Sequence, residues 1–223
     1  MVRNNVSLAV LLNCLQHTDA IYMMAASPKR GGGGPGAKKA GGGGFGAKPK
    51  PAAPAPMLES VVAKWPTRLP ADSDPCMCGS GDSYGDCCRR YHAAEVAPET
   101  PTRVLQSRYS AFAYRLPLHL IRTTHRSNRD WREDKAAWAR ELNQEGMFDS
   151  FVFVGLAPGP EEGGSGADEA FIEFRVDLRN EQTGAEISFR ERSRFVREGG
   201  GWLYASGDVA TDADMGLDVL NRN

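Results

Sequence analysis

The stretch "EISFRERSRFVRE", residues 186–198, alternates with a period of two. Ile187, Phe189, Glu191, Ser193 and Phe195 fall on one side, and Arg190, Arg192 and Arg194 on the other. Alternation of this kind is the mark of a strand with one face against a core. The apolar members define the inner face, so Glu191 and Ser193 point inward with them. An inward carboxylate is costly unless it is paired or protonated.

Moving outward, "FIEFRVDLR" (171–179) alternates in the same way. Ile172, Phe174, Val176 and Leu178 share the inner face, while Glu173, Arg175 and Asp177 face solvent. "NEQTG" (180–184) reads as the turn between these two strands. "FDSFVFVGL" (148–156) reads as a strand before them, followed by a long flexible loop over 157–169. "GGG" then leads into a last strand, "WLYASGDV" (202–209).

Upstream the period changes to that of helices. In "PETPTRVLQSRYSAFAYRL" (98–116), Thr100 can cap and Pro101 occupies the first helical position. Leu105, Tyr109, Phe112 and Leu116 form the apolar stripe. Pro117 opens a short second helix. A third is expected from Asp130, with Glu133 in capping-box register, to Gly146. Glu59 to Lys64 can form one more helical turn. Helices followed by consecutive antiparallel strands predict an α+β domain, its helices packed on one face of the sheet.

Before this domain lies "DPCMCGSGDSYGDCC" (74–88), which holds four of the five cysteines. Two disulfides are one option, but adjacent Cys87 and Cys88 cannot readily bond each other. Two close pairs joined by a Gly-rich turn suit a tetrahedral zinc site, and Gly79, Gly81 and Gly85 allow the positive φ angles of a knuckle. Four thiolates from Cys76, Cys78, Cys87 and Cys88 would close the site and make the zinc structural. His92 is a substitute ligand or, with four cysteines present, a neighbour. Cys14 reads as a free thiol far away.

Residues 1–58 are rich in Gly, Ala, Lys and Pro, a composition that cannot bury enough apolar surface to fold. They carry seven Lys or Arg against one acid, whereas residues 59–223 carry twenty bases against twenty-seven acids. The acidic remainder argues against broad binding of nucleic-acid backbone. The acid-free basic stretch 20–58 is expected to be a plastid or mitochondrial transit segment, with a linker in a cytoplasmic protein as the alternative and Met23 or Met24 as possible starts. The longest apolar run, "VSLAVLL" (6–12), is far short of the roughly 20 residues that span a bilayer.

"PCMCGSGDSYGDCC" resembles the SEC-C zinc motif: Cys76, Cys78, Gly79, Ser80, Tyr84, Cys87 and Cys88 all fit, and Met77 departs from the common form. The resemblance implies that the cysteines bind zinc. The SecA translocation motor carries the same motif as a contact site for partner proteins, which implies an adaptor surface. "RVLQSRYSAFAYR", "THRSN", "FIEF", "ERSRF" and "GGGWLYASGDV" are together similar to the YchJ-like family, with Arg108, Tyr109, Ser110, Phe112, Glu191, Ser193, Phe195, Trp202 and Gly207 on its motifs. That resemblance covers about residues 74–209. It implies a SEC-C knuckle (72–92) joined to a cone-shaped domain like nuclear transport factor 2 (98–210), with a pocket between helices and curved sheet. Many members carry a second SEC-C motif, but no cysteine follows Cys88 here.

Two functions are expected to compete. One is a zinc-containing adaptor that binds a protein partner, with RNA ranked behind. The other is a small pocket enzyme, of the isomerase or dehydratase type, using Glu191 as acid or base with His119 or His125 converging on it. If Glu191 is structural instead, Arg108 is the first expected partner and Tyr109 the second. The partner and the oligomeric state are not legible in the sequence.

Overall fold

A computed structural model of the chain describes residues 57–144 and 148–211. Of the tail expected over residues 1–58, residues 1–56 lie outside the described residues, as do Cys14 and the helix stop at Gly146, while Leu58 already belongs to a helix. The described chain contains helices α1 (Leu58–Val62), α2 (Arg89–His92), α3 (Pro101–Ala113), α4 (Pro117–Arg122) and α5 (Lys135–Gln144). Strands β1 (Phe151–Gly163), β2 (Glu169–Asn180), β3 (Glu186–Glu198) and β4 (Gly201–Thr211) follow. All neighbouring strands are antiparallel, in the order β1-β2-β3-β4. The architecture is α+β, helices on one face of an open sheet.

The inner face of the sheet follows the alternation. Ile172, Phe174, Val176, Leu178, Phe189 and Phe195 are buried, and they pack against Val104, Leu105, Tyr109 and Phe112 of α3. Thr100 caps α3 by accepting a hydrogen bond from the Arg103 amide at 3.2 Å, and Pro101 starts it. The outer face is a lattice of charges. Arg190 pairs with Glu173, Arg192 with Glu162, Arg194 with Glu169 and Arg175 with Asp177. These arginines are therefore engaged by carboxylates of β1 and β2.

Three expectations are corrected. First, the loop expected over 157–169 is mostly strand. β1 continues to Gly163, which pairs with Ala170, and only residues 164–168 connect it to β2. The far half of β1 is exposed, so neither of its faces selects apolar residues and no alternation is written there. Pro158 and Pro160 are tolerated because β1 is an edge strand, and the ladder shifts register between Pro158 and Glu161.

Second, α5 begins at Lys135. Asp134 is its cap and accepts from the Ala137 amide at 2.9 Å. The expected cap at Asp130 loses to Asn128, whose side-chain oxygen accepts the Asp130 amide while its Nδ2 donates to the Ala205 carbonyl of β4. Tertiary anchoring thus holds 128–130 out of the helix. Third, the cone begins earlier than residue 98. α1 packs on α5, with Val61 wholly buried in the main core.

Candidate metal centre and cone cavity

The knuckle is a tight hairpin. The Cys76 amide donates to the Asp82 carbonyl at 2.9 Å, and the Tyr84 amide to the Asp74 carbonyl at 2.8 Å. Gly79 and Gly81 take φ values of +79° and +88°, where a side chain would be strained. This folds Cys76 and Cys78 back onto Cys87 and Cys88. All four are buried free thiols, with sulfurs within 4.8 Å of one another. Cys78 and Cys87 sulfurs are 3.4 Å apart, and those of Cys87 and Cys88 are 3.8 Å apart. Tetrahedral arms of about 2.3 Å set sulfur–sulfur edges of about 3.8 Å. The cluster can therefore hold a metal ion.

The local electrostatics favour a cation. Hydrogen bonds from the Cys78 and Cys88 thiols pull the Cys76 thiol down to about 4. Cys88 is pushed far up, chiefly by its hydrogen bonding to Cys76 and Cys78 and by burial. Four adjacent thiols cannot all ionise side by side, and a divalent cation that prefers sulfur removes that conflict. His92 is not one of this set. Its Nδ1 meets the Tyr84 hydroxyl at 3.1 Å and its Nε2 the Ser107 carbonyl at 2.9 Å.

The knuckle's small apolar cluster, built around Tyr84 and Tyr114, is distinct from the cone's core. A polar seam joins the two. Tyr114 accepts the Met77 amide at 2.9 Å, and Arg122 donates to the His92 carbonyl at 3.0 Å. His119 lies wholly in this seam. Its Nδ1 is 3.2 Å from the Tyr91 carbonyl, its Nε2 is 3.0 Å from the Ser107 hydroxyl, and its ring meets that of His92 edge-on at 4.8 Å. Burial holds both imidazoles neutral, with His92 lowered to about 4 and His119 well below its ordinary value.

His119 therefore serves the knuckle junction and not Glu191. His125 is also elsewhere: it pairs with Glu198 at 2.7 Å and with the Ser127 hydroxyl at 2.6 Å. Neither histidine converges on Glu191, against the expectation for an acid–base pair. His119 and His125 escape prediction because a helix of six residues and the turn after it carry too little periodicity to show which side meets a neighbour.

Glu191 and Ser193 do face inward, each about 1% exposed. The expected ion pair with Arg108 is not formed. Arg108 Nη1 instead donates to the Leu120 carbonyl and the Thr123 and Thr124 hydroxyls at 2.9–3.0 Å, and the guanidinium lies 4.6 Å from the centre of the Tyr204 ring. Glu191 Oε1 accepts from Ser193 at 2.5 Å and from Tyr204 at 3.1 Å. Desolvation raises the Glu191 carboxyl, and the two hydroxyls and the more distant Arg108 pull the other way. Tyr109, the second expected partner, makes no such bond. Its ring packs edge-on against Phe153 at 5.3 Å.

Tyr204 and Gly207 were missed as parts of this site. They lie three apart on β4, so plain alternation puts them on opposite faces. The ladder steps from Ser206 to Tyr204 opposite Arg194 and Phe195, leaving Ala205 as a bulge. The bulge turns both residues inward. Gly207 is then indispensable, since a Cβ there would sit 2.0 Å from Glu191 Oε1 and 2.7 Å from the Tyr204 oxygen. The cavity that these groups line, under α3, α4 and α5, has about 50 Å³ for the centres of water-sized molecules.

The comparisons with known proteins follow the same division. The SEC-C motif matches residues 73–90, and the YchJ middle NTF2-like domain matches residues 100–207. A UPF0225 protein of Deinococcus radiodurans is 35% identical over 130 residues, 58% of this chain and 85% of that one. A UPF0225 protein of Streptomyces coelicolor is 32% identical over 134 residues, 60% of this chain and 94% of that one. Among solved structures, a SEC-C motif containing protein from Rhodopseudomonas palustris aligns with a TM-score of 0.49 at 27% identity, over 59% of this chain and 95% of that one. With its knuckle and cone in this order, and with relatives matched over most of their own length, the chain belongs to the YchJ-like, UPF0225 family.

Proposed function

We propose that this chain is a zinc-containing binding protein, an adaptor that acts through protein contacts and not through chemistry at its metal. The observation that carries this reading is the closed ligand set. Four buried cysteine sulfurs within 4.8 Å of one another can supply every position of a tetrahedral shell, which would leave none for water or substrate. Zinc is the ion that tetrahedral four-sulfur sites of this knuckle kind suit best.

Met77 sits between two of these cysteines and is 38% exposed while they are buried. A flexible thioether presented on a rigid metal knuckle makes an adaptable contact for a partner. A protein partner is favoured over RNA by charge. Residues 59–223 carry an excess of acids, and the row of arginines on β3 is paired with Glu162, Glu169 and Glu173. The isomerase or dehydratase reading loses support because both histidines are engaged elsewhere.

Native mass spectrometry of the full chain tests the metal, with one zinc per chain expected. Crosslinking in cells then compares the wild type with Met77→Asp, both zinc-loaded. A partner lost only in the variant supports the adaptor, and an identical set of crosslinks in both removes the knuckle surface from the reading.

A further inference from the structure

We infer that the cone cavity is a binding site for a small hydroxylated aromatic molecule, anchored by Glu191 Oε2 and the Tyr109 hydroxyl. This goes beyond the adaptor reading and does not depend on the metal.

The inference starts from two atoms. Tyr109 and Glu191 both line the cavity, and each keeps one fully buried oxygen, Tyr109 Oη and Glu191 Oε2, without a hydrogen-bond partner among the described residues. Buried polar groups are nearly always paired, so a pair left open in one cavity calls for an occupant. Glu191 Oε1 is already engaged by Ser193 and Tyr204, so Oε2 is the oxygen that remains for a ligand.

The arrangement is built, not incidental. The bulge at Ala205 turns Tyr204 inward, and Gly207 clears the space that the carboxyl occupies. Arg108 is fixed by one carbonyl and two hydroxyls and is stacked on Tyr204, which immobilises the second hydrogen-bond donor to Glu191.

The chemistry of the walls selects the ligand. Phe112, Phe174, Phe195 and Trp138 give the cavity aromatic sides. The space holds about four waters, at about 10–15 Å³ of centre volume each, which admits a single ring and not a drug-sized molecule. A cation would face the fixed charge of Arg108, and an anion would face Glu191 and Asp130. A plain hydrocarbon would leave Tyr109 and Glu191 unpaired. A hydroxyl can donate to Oε2 and can either accept from or donate to a tyrosine.

The test uses the full zinc-loaded chain and three probes: phenol, resorcinol and benzene. Amide shifts and fluorescence from Trp138 report binding. Saturable binding of phenol and resorcinol is expected, with shifts confined to α3, α4, α5 and the inner face of β2–β4, and benzene binding about tenfold weaker. Tyr109→Phe is expected to weaken one of the hydroxylated probes by about tenfold and to leave benzene unchanged. Because the Tyr109 hydroxyl has no partner to lose, this variant keeps the fold, which its amide spectrum verifies. Glu191→Gln supplies a second variant with the same shape. No saturation by either hydroxylated probe, benzene binding as tightly as phenol, or shifts outside the cavity would each overturn the proposal and leave a water-filled space.

Discussion

The knuckle and the cone are ordered by opposite means. Residues 72–92 contain hardly any apolar core of their own beyond Tyr84 and the cysteines, so their shape depends on what the four sulfurs hold. The cone buries more than twenty apolar residues between its helices and sheet and needs no ion to do so. Between them lies a third kind of packing, the polar seam of His92, Ser107, His119 and Arg122. The contrast raises the question of whether a metal at the knuckle and the core of the cone would unfold as one cooperative unit. The seam of His92, Ser107, His119 and Arg122 is the packing through which the two regions would be coupled.

The strongest way to break the comparison is to remove the metal ligands. Cys87→Ser with Cys88→Ser is expected to abolish zinc binding, where structural zinc sites contribute on the order of 10–16 kcal/mol of apparent binding energy. Amide signals of residues 72–92 should collapse while those of β1–β4 persist at a lower melting temperature. Loss of the sheet signals as well would mean that the seam couples the two regions fully.

Next in size is Gly207→Val. Its Cβ has no room beside Glu191 Oε1, and overpacking of this kind costs about 3 kcal/mol in a denaturant melt of the cone. Unchanged zinc content in this variant would sharpen the division. Glu191→Ala should cost about 2–4 kcal/mol, because it opens a hole and strands the Ser193 and Tyr204 hydroxyls. Glu191→Gln should cost less than Glu191→Ala, since the amide keeps the shape and an accepting oxygen for the Ser193 and Tyr204 hydroxyls.

The two regions should also answer pH with opposite sign. The Glu191 carboxyl is raised in the folded state, so the folded chain holds its proton longer. Its contribution is full below the ordinary glutamate value and is lost as pH rises through the folded value. His92 and His119 are lowered, so the unfolded chain takes up protons first. Their contribution is full above about 6.5 and is lost as pH falls toward about 4. Imidazole carbon shifts of His92 and His119 should therefore stay neutral from pH 7.5 to pH 5.5, a window in which an exposed histidine titrates. The smallest effect expected is that of deleting residues 1–56, which should leave the melting temperature unchanged. Deleting residues 1–70 should cost about 2 kcal/mol through the loss of buried Val61.

How far the sequence could be read follows the same physical division. The cysteine cluster was legible because all four thiols lie within thirteen residues of sequence. The strands of the cone were legible where one face is buried, as in β2 and β3. They were illegible in the far half of β1, where exposure removes the pattern. Glu191 could be placed inward from its neighbours Phe189 and Phe195. Its partner could not, because Tyr204 reaches it through a bulge and Arg108 is held by Thr123 and Thr124. Long-range hydrogen bonds leave no periodic trace.

The edges of the sheet carry a consequence for its behaviour in a crowded solution. β1 is thirteen residues long and, among the described residues, has no strand on one of its sides, the kind of border that recruits a stranger's strand. Pro158 and Pro160 remove two amides from that half, register shifts interrupt the ladder, and Glu161 and Glu162 add charge. At the opposite border, the segment Thr123–His125 lies along β4 through Tyr204. Prolines, register shifts and charges of this kind discourage edge-to-edge pairing, and Pro158, Pro160, Glu161 and Glu162 are all exposed rather than part of the core. Replacing both prolines with valine would leave the cone as stable as before and make it a seed for fibres.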